Sequence, residues 1–304
     1  TLGNLLLQVL IVILPQRELD AVALSRLSTV YMPSDKMTML PDAASALFSL
    51  QEGRHCPAVS LYARIAPDGT MIGLRNALEQ VYIAENLRIE SLEQVFNADT
   101  VINGEGDYAF KTELLYLWQL ANQLEAARGK ADANRSPRVD YTIKVAANEV
   151  VQITPRLRGA PIDKLVSELM IFANSTWGKQ LAEAGYTAIY RAQTAGRVRM
   201  TTHPTPHMGL GVSHYTWASS PLRRAVDLLN QRQIIAMIEG QPAVYPQNSE
   251  VLFAALRDFD TAYTAYNEFQ DKLERYWVLR YLEQNNKMTL QGIITRDNGL
   301  RIND

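Results

Sequence analysis

The sequence has few of the features that assign a chain quickly to a class of proteins. Its 304 residues contain one cysteine, Cys56, so no disulfide forms within the chain, which fits a reducing compartment and a cytoplasmic protein. The formal net charge is −2, so any site for a polyanion is a local patch rather than a basic coat. The apolar residues 5–14 are too few to span a bilayer, and we interpret them as a buried strand. No membrane partner is expected.

Apolar spacing and turn residues predict an α+β fold with a mainly antiparallel sheet and several long helices. Strand hairpins are predicted around the turn at residues 67–69 and around Asn148. Short extended segments are predicted at 187–193 and 196–202, and a small hairpin at 287–302. Helices are predicted at residues 18–31, 110–129, 161–185, from about 221, and at 250–284.

The stretch YTWASSPLRRAVDLLNQRQI concentrates basic residues where a helix is predicted to begin. Ser220 is suited to cap that helix, and Pro221 to occupy its first turn. Arg223 and Arg224 are then unfavourable, because the positive end of the helix dipole repels cations. A bound phosphate would offset this cost, since guanidinium groups and backbone amides both bind it. The alternative is that Asp227, one turn on, pairs with Arg223.

Other polar residues allow two interpretations each. Glu168 lies in an apolar helical stretch, where a carboxylate is costly unless a cation or a metal pairs with it; otherwise it occupies a partly exposed edge. Tyr31 precedes a proline-bounded loop and is either a stacking platform for a base or a half-buried tyrosine. The histidines at 203, 207 and 214 suggest a metal site, but their proline and glycine neighbours favour a loop.

Together these segments resemble the RNB catalytic domain of the ribonuclease II family, which degrades single-stranded RNA from its 3′ end. The stretch YTWASSPLRRAVDLLNQRQI is similar to that family's signature. PHMGLG, VSELMIFAN and LSTVYMPSDKMTMLP are similar to three further blocks, in the same order, and the resemblance covers residues 5–282. One position departs: Ala225 stands where the family usually has an aromatic residue.

The resemblance implies roles for individual residues. Arg223 would hold the scissile or a neighbouring phosphate and act in catalysis, Tyr31 would stack on the 3′-terminal nucleotide, and Glu168 would clamp the terminal bases or sugars. Ile89 stands where the family has a second stacking tyrosine, so that role is not transferred. The further residues implied to bind RNA are Arg224, Tyr215, Ser220 and, as a weaker match, Glu268.

The metal site is where the sequence departs most from the family. The resemblance implies Mg²⁺, held by aspartates spaced Asp-x5-Asp-x-Asp-Asp before the first core strand, and hydrolysis of RNA to nucleoside 5′-monophosphates. The sequence has no such cluster, since the two aspartates of RDFDTAY belong to a late predicted helix. Alternatives to an exoribonuclease are an RNA-binding protein of this fold without catalysis, and a structural or regulatory protein that retains only the fold.

Three explanations for the missing aspartates stay open: a degenerate family member, a truncated chain, or ordered pieces of a longer protein joined in one numbering. The third is favoured, with joins expected among residues 1–5 or near 14–15, 134–138 and 284–287. Residues 1–284 are expected to form the RNB-like catalytic domain around an RNA channel. Under the third explanation, the natural domain also contains segments that this sequence lacks. Residues 285–304 are expected to begin a C-terminal strand-rich oligonucleotide-binding barrel that is mostly absent.

Overall fold

A computed structural model describes residues 3–10, 17–131, 138–287, 289–294 and 300–302. The helices are α1 (Arg17–Arg26), α2 (Asp42–Phe48), α3 (Ile89–Leu92), α4 (Ala98–Asn103), α5 (Lys111–Ala127), α6 (Pro161–Glu183), α7 (Ala225–Ile238) and α8 (Glu250–Gln284). The strands are β1 (Gly3–Leu10), β2 (Val30–Tyr31), β3 (Lys36–Met37), β4 (His55–Ile65), β5 (Met71–Tyr82), β6 (Arg138–Val145), β7 (Val151–Arg158), β8 (Tyr190–Ala192), β9 (Arg199–Thr201), β10 (Gly292–Ile294) and β11 (Leu300–Ile302).

The strand pairs are antiparallel, which confirms the predicted α+β class. β4 lies between β1 and β5 in a three-stranded sheet, and the other pairs are two-stranded. The turn between β4 and β5 is the predicted one: the backbone N–H of Thr70 donates to the Asp68 carboxylate at 2.9 Å, and Gly69 has a φ of 87°. Most β4 side chains are buried because the strand is central and packs against helices.

Two central helices hold the core together. α6 contributes Leu165 and Leu169 to one buried cluster with α5, and Trp177 and Leu181 to a second with β4. α7 is buried on nearly every side, and its amide side chains bond to neighbouring backbone. Asn230, for example, accepts from the N–H of Ile189 at 2.8 Å and donates to the carbonyls of Ile189 and Trp217, both at 2.9 Å.

Several boundaries differ from the sequence-based expectations. The helix predicted at 18–31 ends at Arg26, because Leu27 adopts a positive φ of 61° and the chain turns into β2. The strand predicted at 5–14 is observed as β1, whereas residues 11–16 lie outside the described part, as do 132–137. Joins expected near 14–15 and 134–138 fall on or beside these segments. No helix in the described residues is long and apolar enough to cross a membrane.

Candidate functional site

The arginine loop, residues 220–225, is held by a backbone pairing with the segment that leads into β2. The N–H of Thr29 donates to the carbonyl of Arg223 at 2.9 Å, and the N–H of Ala225 donates to Leu27 at 2.8 Å. Ser28 and Arg224 form an antiparallel bridge. Segments almost 200 positions apart in sequence therefore meet. Arg223 pairs with Thr29, which lies two residues before Tyr31.

The observed start of α7 corrects the expectations about the arginine loop. α7 begins at Ala225 with Arg224 as its N-cap residue, so Ser220 does not cap it, and Pro221 and Arg223 lie before its first turn. Asp227 pairs with Arg224 rather than with Arg223, through guanidinium contacts of 2.6 and 2.7 Å. The same carboxylate accepts the N–H of Ser220 at 2.8 Å, which closes the loop. Arg224 is extended, with a φ of −141°, because its backbone bridges to Ser28.

Arg223 and Tyr31 both present their side chains to solvent. The Arg223 side chain is exposed and forms no hydrogen bond or ion pair with any residue that the structure describes. Tyr31 is 48% exposed, and its carbonyl accepts from the Gln270 side chain of α8 at 2.8 Å. The structure therefore holds the backbone of both residues and leaves a free guanidinium and an accessible ring.

A cavity of about 610 Å³ lies between the β2–β3 hairpin and α8. Its wall includes Arg26, Lys36, Tyr266 and Phe269, so it combines two cations with two aromatic rings. Glu268, the weaker candidate on α8, is exposed beside Phe269. The cavity offers a cation for phosphate and ring faces for a base.

A second arginine, Arg191 of β8, shares the Trp217 ring with Arg224 of the arginine loop. The sequence analysis did not identify Arg191 as a candidate site residue. The guanidinium carbons of Arg191 and Arg224 each lie 3.9 Å from the centroid of the Trp217 ring. Burial lowers the pKa of Arg191, an effect reinforced by the positive charge of Arg224. Strand alternation was the available signal, since it turns Arg191 away from its buried neighbours Tyr190 and Ala192.

Tyr215 and His207 complete the surroundings of Arg191. The N–H of Arg191 donates to the carbonyl of Tyr215 at 2.8 Å, and the rings of Tyr215 and His207 pack edge to face, with centroids 5.7 Å apart. Burial raises the pKa of the Tyr215 hydroxyl. Burial lowers the pKa of His207, as do the charges of Arg191 and Lys130. Both side chains are therefore biased toward their neutral forms, which leaves the arginines as the charged groups here.

Glu168 is buried, with 4% of its surface exposed, and is paired with Arg128. The Arg128 guanidinium also donates to the carbonyl of Leu210, so this pair fastens the PHMGLG segment to α5 and α6. A Cβ at Gly211 would lie 2.3 Å from the carbonyl oxygen of Arg128, and this close approach explains the glycine. The expected cation partner is present, so the partly exposed alternative is wrong; the predicted contact of Glu168 with RNA stays a prediction.

Asn174, also in α6, fixes the extended segment, residues 216–219, that leads into the arginine loop. Its side chain accepts the N–H of Ala218 at 3.0 Å and donates to the Ser219 hydroxyl at 3.2 Å. Its carbonyl accepts the Thr216 hydroxyl at 2.9 Å. Local sequence patterns could not predict these contacts, because the partners of Asn174 lie more than 40 positions away. Asn174 is therefore buried and positions the segment that leads into the arginine loop.

The described residues do not fit the Mg²⁺ site that the resemblance implies. Within the described ranges, no three His, Cys, Asp or Glu side chains lie together as a metal site would require. Two buried carboxylates are each paired with an arginine: Asp227 with Arg224, and Glu168 with Arg128. We therefore derive no chemical step through a metal ion from these residues.

Known proteins are similar to this chain over most of its length. The family model described as RNB domain matches residues 9–199 and 192–240. An uncharacterised ribonuclease of Synechocystis is 27% identical over 320 residues, which cover 94% of this chain and 46% of that protein. Exoribonuclease 2 of Vibrio parahaemolyticus is 23% identical over 302 residues, covering 79% and 44%. The chain spans about half the length of these curated relatives.

Two solved structures share the fold. Mycoplasma genitalium RNase R, in complex with ribose-methylated single-stranded RNA, has a TM-score of 0.77 at 15% identity, covering 96% of this chain and 56% of that one. Yeast Ssd1, described as a pseudonuclease, has a TM-score of 0.76 at 15% identity, covering 99% and 45%. At these identities the likeness concerns the fold, which is shared by proteins named as nucleases and by one named as a pseudonuclease.

Proposed function

The chain belongs to the RNB domain family, and from that membership we propose that it binds single-stranded RNA by its 3′ end. The observation that carries the proposal is the pairing of the arginine loop with the segment before Tyr31. This pairing supplies a free guanidinium for a phosphate and an exposed ring for a base from adjacent backbone segments. The similarity in fold to an RNase R that was solved with single-stranded RNA supports this choice of ligand.

Binding follows from electrostatics and stacking. The net charge is −2, so attraction to RNA has to come from the local cations around the arginine loop. Arg223 has no internal counter-ion among the described residues, so a phosphate can take its guanidinium without breaking an ion pair. Tyr31 would stack on the terminal base and give the site a preferred end. Within the loop, the Ser220 N–H and the Arg224 guanidinium both bond to Asp227 and hold the loop in place.

Hydrolysis of RNA from the 3′ end to nucleoside 5′-monophosphates is the second candidate function. The family match and the similarity to Exoribonuclease 2 favour it. The neutralised carboxylates around the site favour binding without cleavage, as does the likeness to a pseudonuclease. The two candidates share the RNA site and differ in the chemistry performed there.

Arg223→Gln is expected to weaken binding of a labelled single-stranded homopolymer at least about tenfold, because hydrogen bonds to a charged group contribute about 1.5–3 kcal/mol. Fluorescence anisotropy in EDTA measures this affinity separately from any metal-dependent reaction. Arg257→Gln is the control, since that exposed arginine is already paired with Asp258. Equal affinities for the two variants would remove Arg223 from the site.

Adding Mg²⁺ to the same proteins tests the second candidate. Release of mononucleotides by the unmodified protein would establish hydrolysis. Arg223→Gln should then reduce turnover more than it reduces binding, because a group beside the reacting phosphate acts mainly on the transition state. Intact RNA after long incubation, together with tight binding, would leave binding as the function.

Tyr31→Ala is expected to weaken binding of short linear RNA by about 1–3 kcal/mol, the contribution of stacking on one base. Circular RNA of the same sequence has no terminal base and should bind both proteins equally. Tyr141→Ala is the control, since that ring is similarly exposed at 45%. Equal losses for linear and circular RNA would show that Tyr31 does not recognise an end.

A further inference from the structure

Arg191 is a partly buried cation that has no ion-pair partner among the described residues. Its guanidinium makes no hydrogen bond or ion pair with any residue in the described part of the chain. Burial is the main cause of its lowered pKa. Tyr215, Tyr263 and Asp260 oppose this effect, and Asp260 does so without forming an ion pair. Charged groups in such positions are costly unless something compensates them.

The position of Arg191 beside Arg224 adds to this cost. Both guanidinium carbons lie 3.9 Å from the Trp217 ring centroid, so two cations share one aromatic side chain. Asp227 neutralises Arg224, but the described residues contain no corresponding partner for Arg191. The Trp217 ring is itself fixed by Phe259 and Tyr263 of α8, with centroids 6.3 and 5.9 Å away. The aromatic ring therefore holds the Arg191 guanidinium in place without cancelling its charge.

We propose that Arg191 binds a second phosphate of the RNA backbone, next to the phosphate held at Arg223. The proposal rests on the proposed function, and it assigns a further ligand of the same RNA. Arg224 connects the two positions, since it follows Arg223 in the chain and shares Trp217 with Arg191. A bound phosphodiester would give Arg191 the ion-pair partner that the described residues do not provide, and a guanidinium fork is suited to bind it.

A purely structural role for Arg191 is the competing explanation. Arg224 already covers Trp217, and an uncharged side chain at position 191 would pack without the cost of desolvating a charge. A structural arginine should therefore stabilise the free protein, whereas an RNA ligand should contribute little or even cost stability. These two expectations differ in sign for the unliganded protein.

The test compares Arg191→Gln and Arg191→Lys with Arg199→Gln, an exposed arginine of the neighbouring β9. RNA affinity is measured in EDTA over a series of salt concentrations. Arg191→Gln should weaken binding about tenfold and reduce the salt slope by about 0.7, the value for one phosphate contact on a single strand. Arg191→Lys should keep the slope and lose part of the affinity, since it keeps the charge without the fork. Arg199→Gln should change affinity less than about twofold.

Thermal melting without RNA completes the test. Arg191→Gln should melt at the same temperature as the unmodified protein or higher. A lowered melting temperature with an unchanged salt slope would overturn the proposal in favour of the structural role. An unchanged affinity of Arg191→Gln beside a weakened Arg223→Gln would overturn it while the proposed function stands. Failure of the unmodified protein to bind RNA would overturn both.

Discussion

Replacing Asp227 with alanine is expected to lower the free energy of unfolding by about 3–5 kcal/mol, because one partner of a buried ion pair is removed. The Asp227 side chain is fully buried and that of Arg224 is 14% exposed. Its loss leaves the Arg224 guanidinium and the Ser220 N–H without their shared acceptor. RNA affinity should fall as well, since the arginine loop is no longer closed.

Urea denaturation of Asp227→Ala measures this change. Asp258→Ala is the matched control, because it also removes an aspartate from an arginine pair, but one in which both side chains are largely exposed. Exposed pairs contribute about 0–1 kcal/mol, so the control should stay close to the unmodified protein. Similar losses in the two variants would mean that Asp227 does not carry a buried charge pair.

Glu168→Ala should have a comparable effect, a loss of about 3–5 kcal/mol, because it leaves Arg128 buried without its anion. The Arg128 side chain is 14% exposed and that of Glu168 is 5% exposed, and Arg128 also holds the carbonyl of Leu210. Replacing both charged residues with leucine should recover much of the loss, since an apolar pair avoids the desolvation of two charges. Glu183→Ala, which breaks an exposed pair with Lys179, is the control.

The double leucine variant also tests the contact between Glu168 and RNA that the family resemblance implies. If Glu168 only fastens the PHMGLG segment, the refolded double variant should bind RNA with nearly unchanged affinity. If Glu168 also clamps the terminal nucleotide, short linear RNA should bind more weakly while stability is restored. A double variant as unstable as the sum of its single substitutions would show that the two charges are not coupled.

Local patterns in the sequence predicted the regular elements closely. The helix predicted at 250–284 is observed with those limits as α8, and the predicted turn at 67–69 joins β4 to β5. Helical spacing and turn residues act over a few positions, so the sequence shows them directly. The start of α7 was misplaced because the bridge between Ser28 and Arg224 keeps residues 221–224 out of the helix.

The sequence by itself determined the fold class, the family signature and the candidates Arg223, Tyr31 and Glu168, since these depend on residue type and local spacing. Only the tertiary structure decided which charges cancel. It joined Asp227 to Arg224, Glu168 to Arg128 forty positions away, and Arg191 to the Trp217 ring. Coulombic pairing and burial act through space between segments distant in the chain, and local periodicity carries no record of them. The sequence predicted two arginines at a helix start, and the fold pairs Arg224 with Asp227 while it leaves Arg223 exposed before the helix.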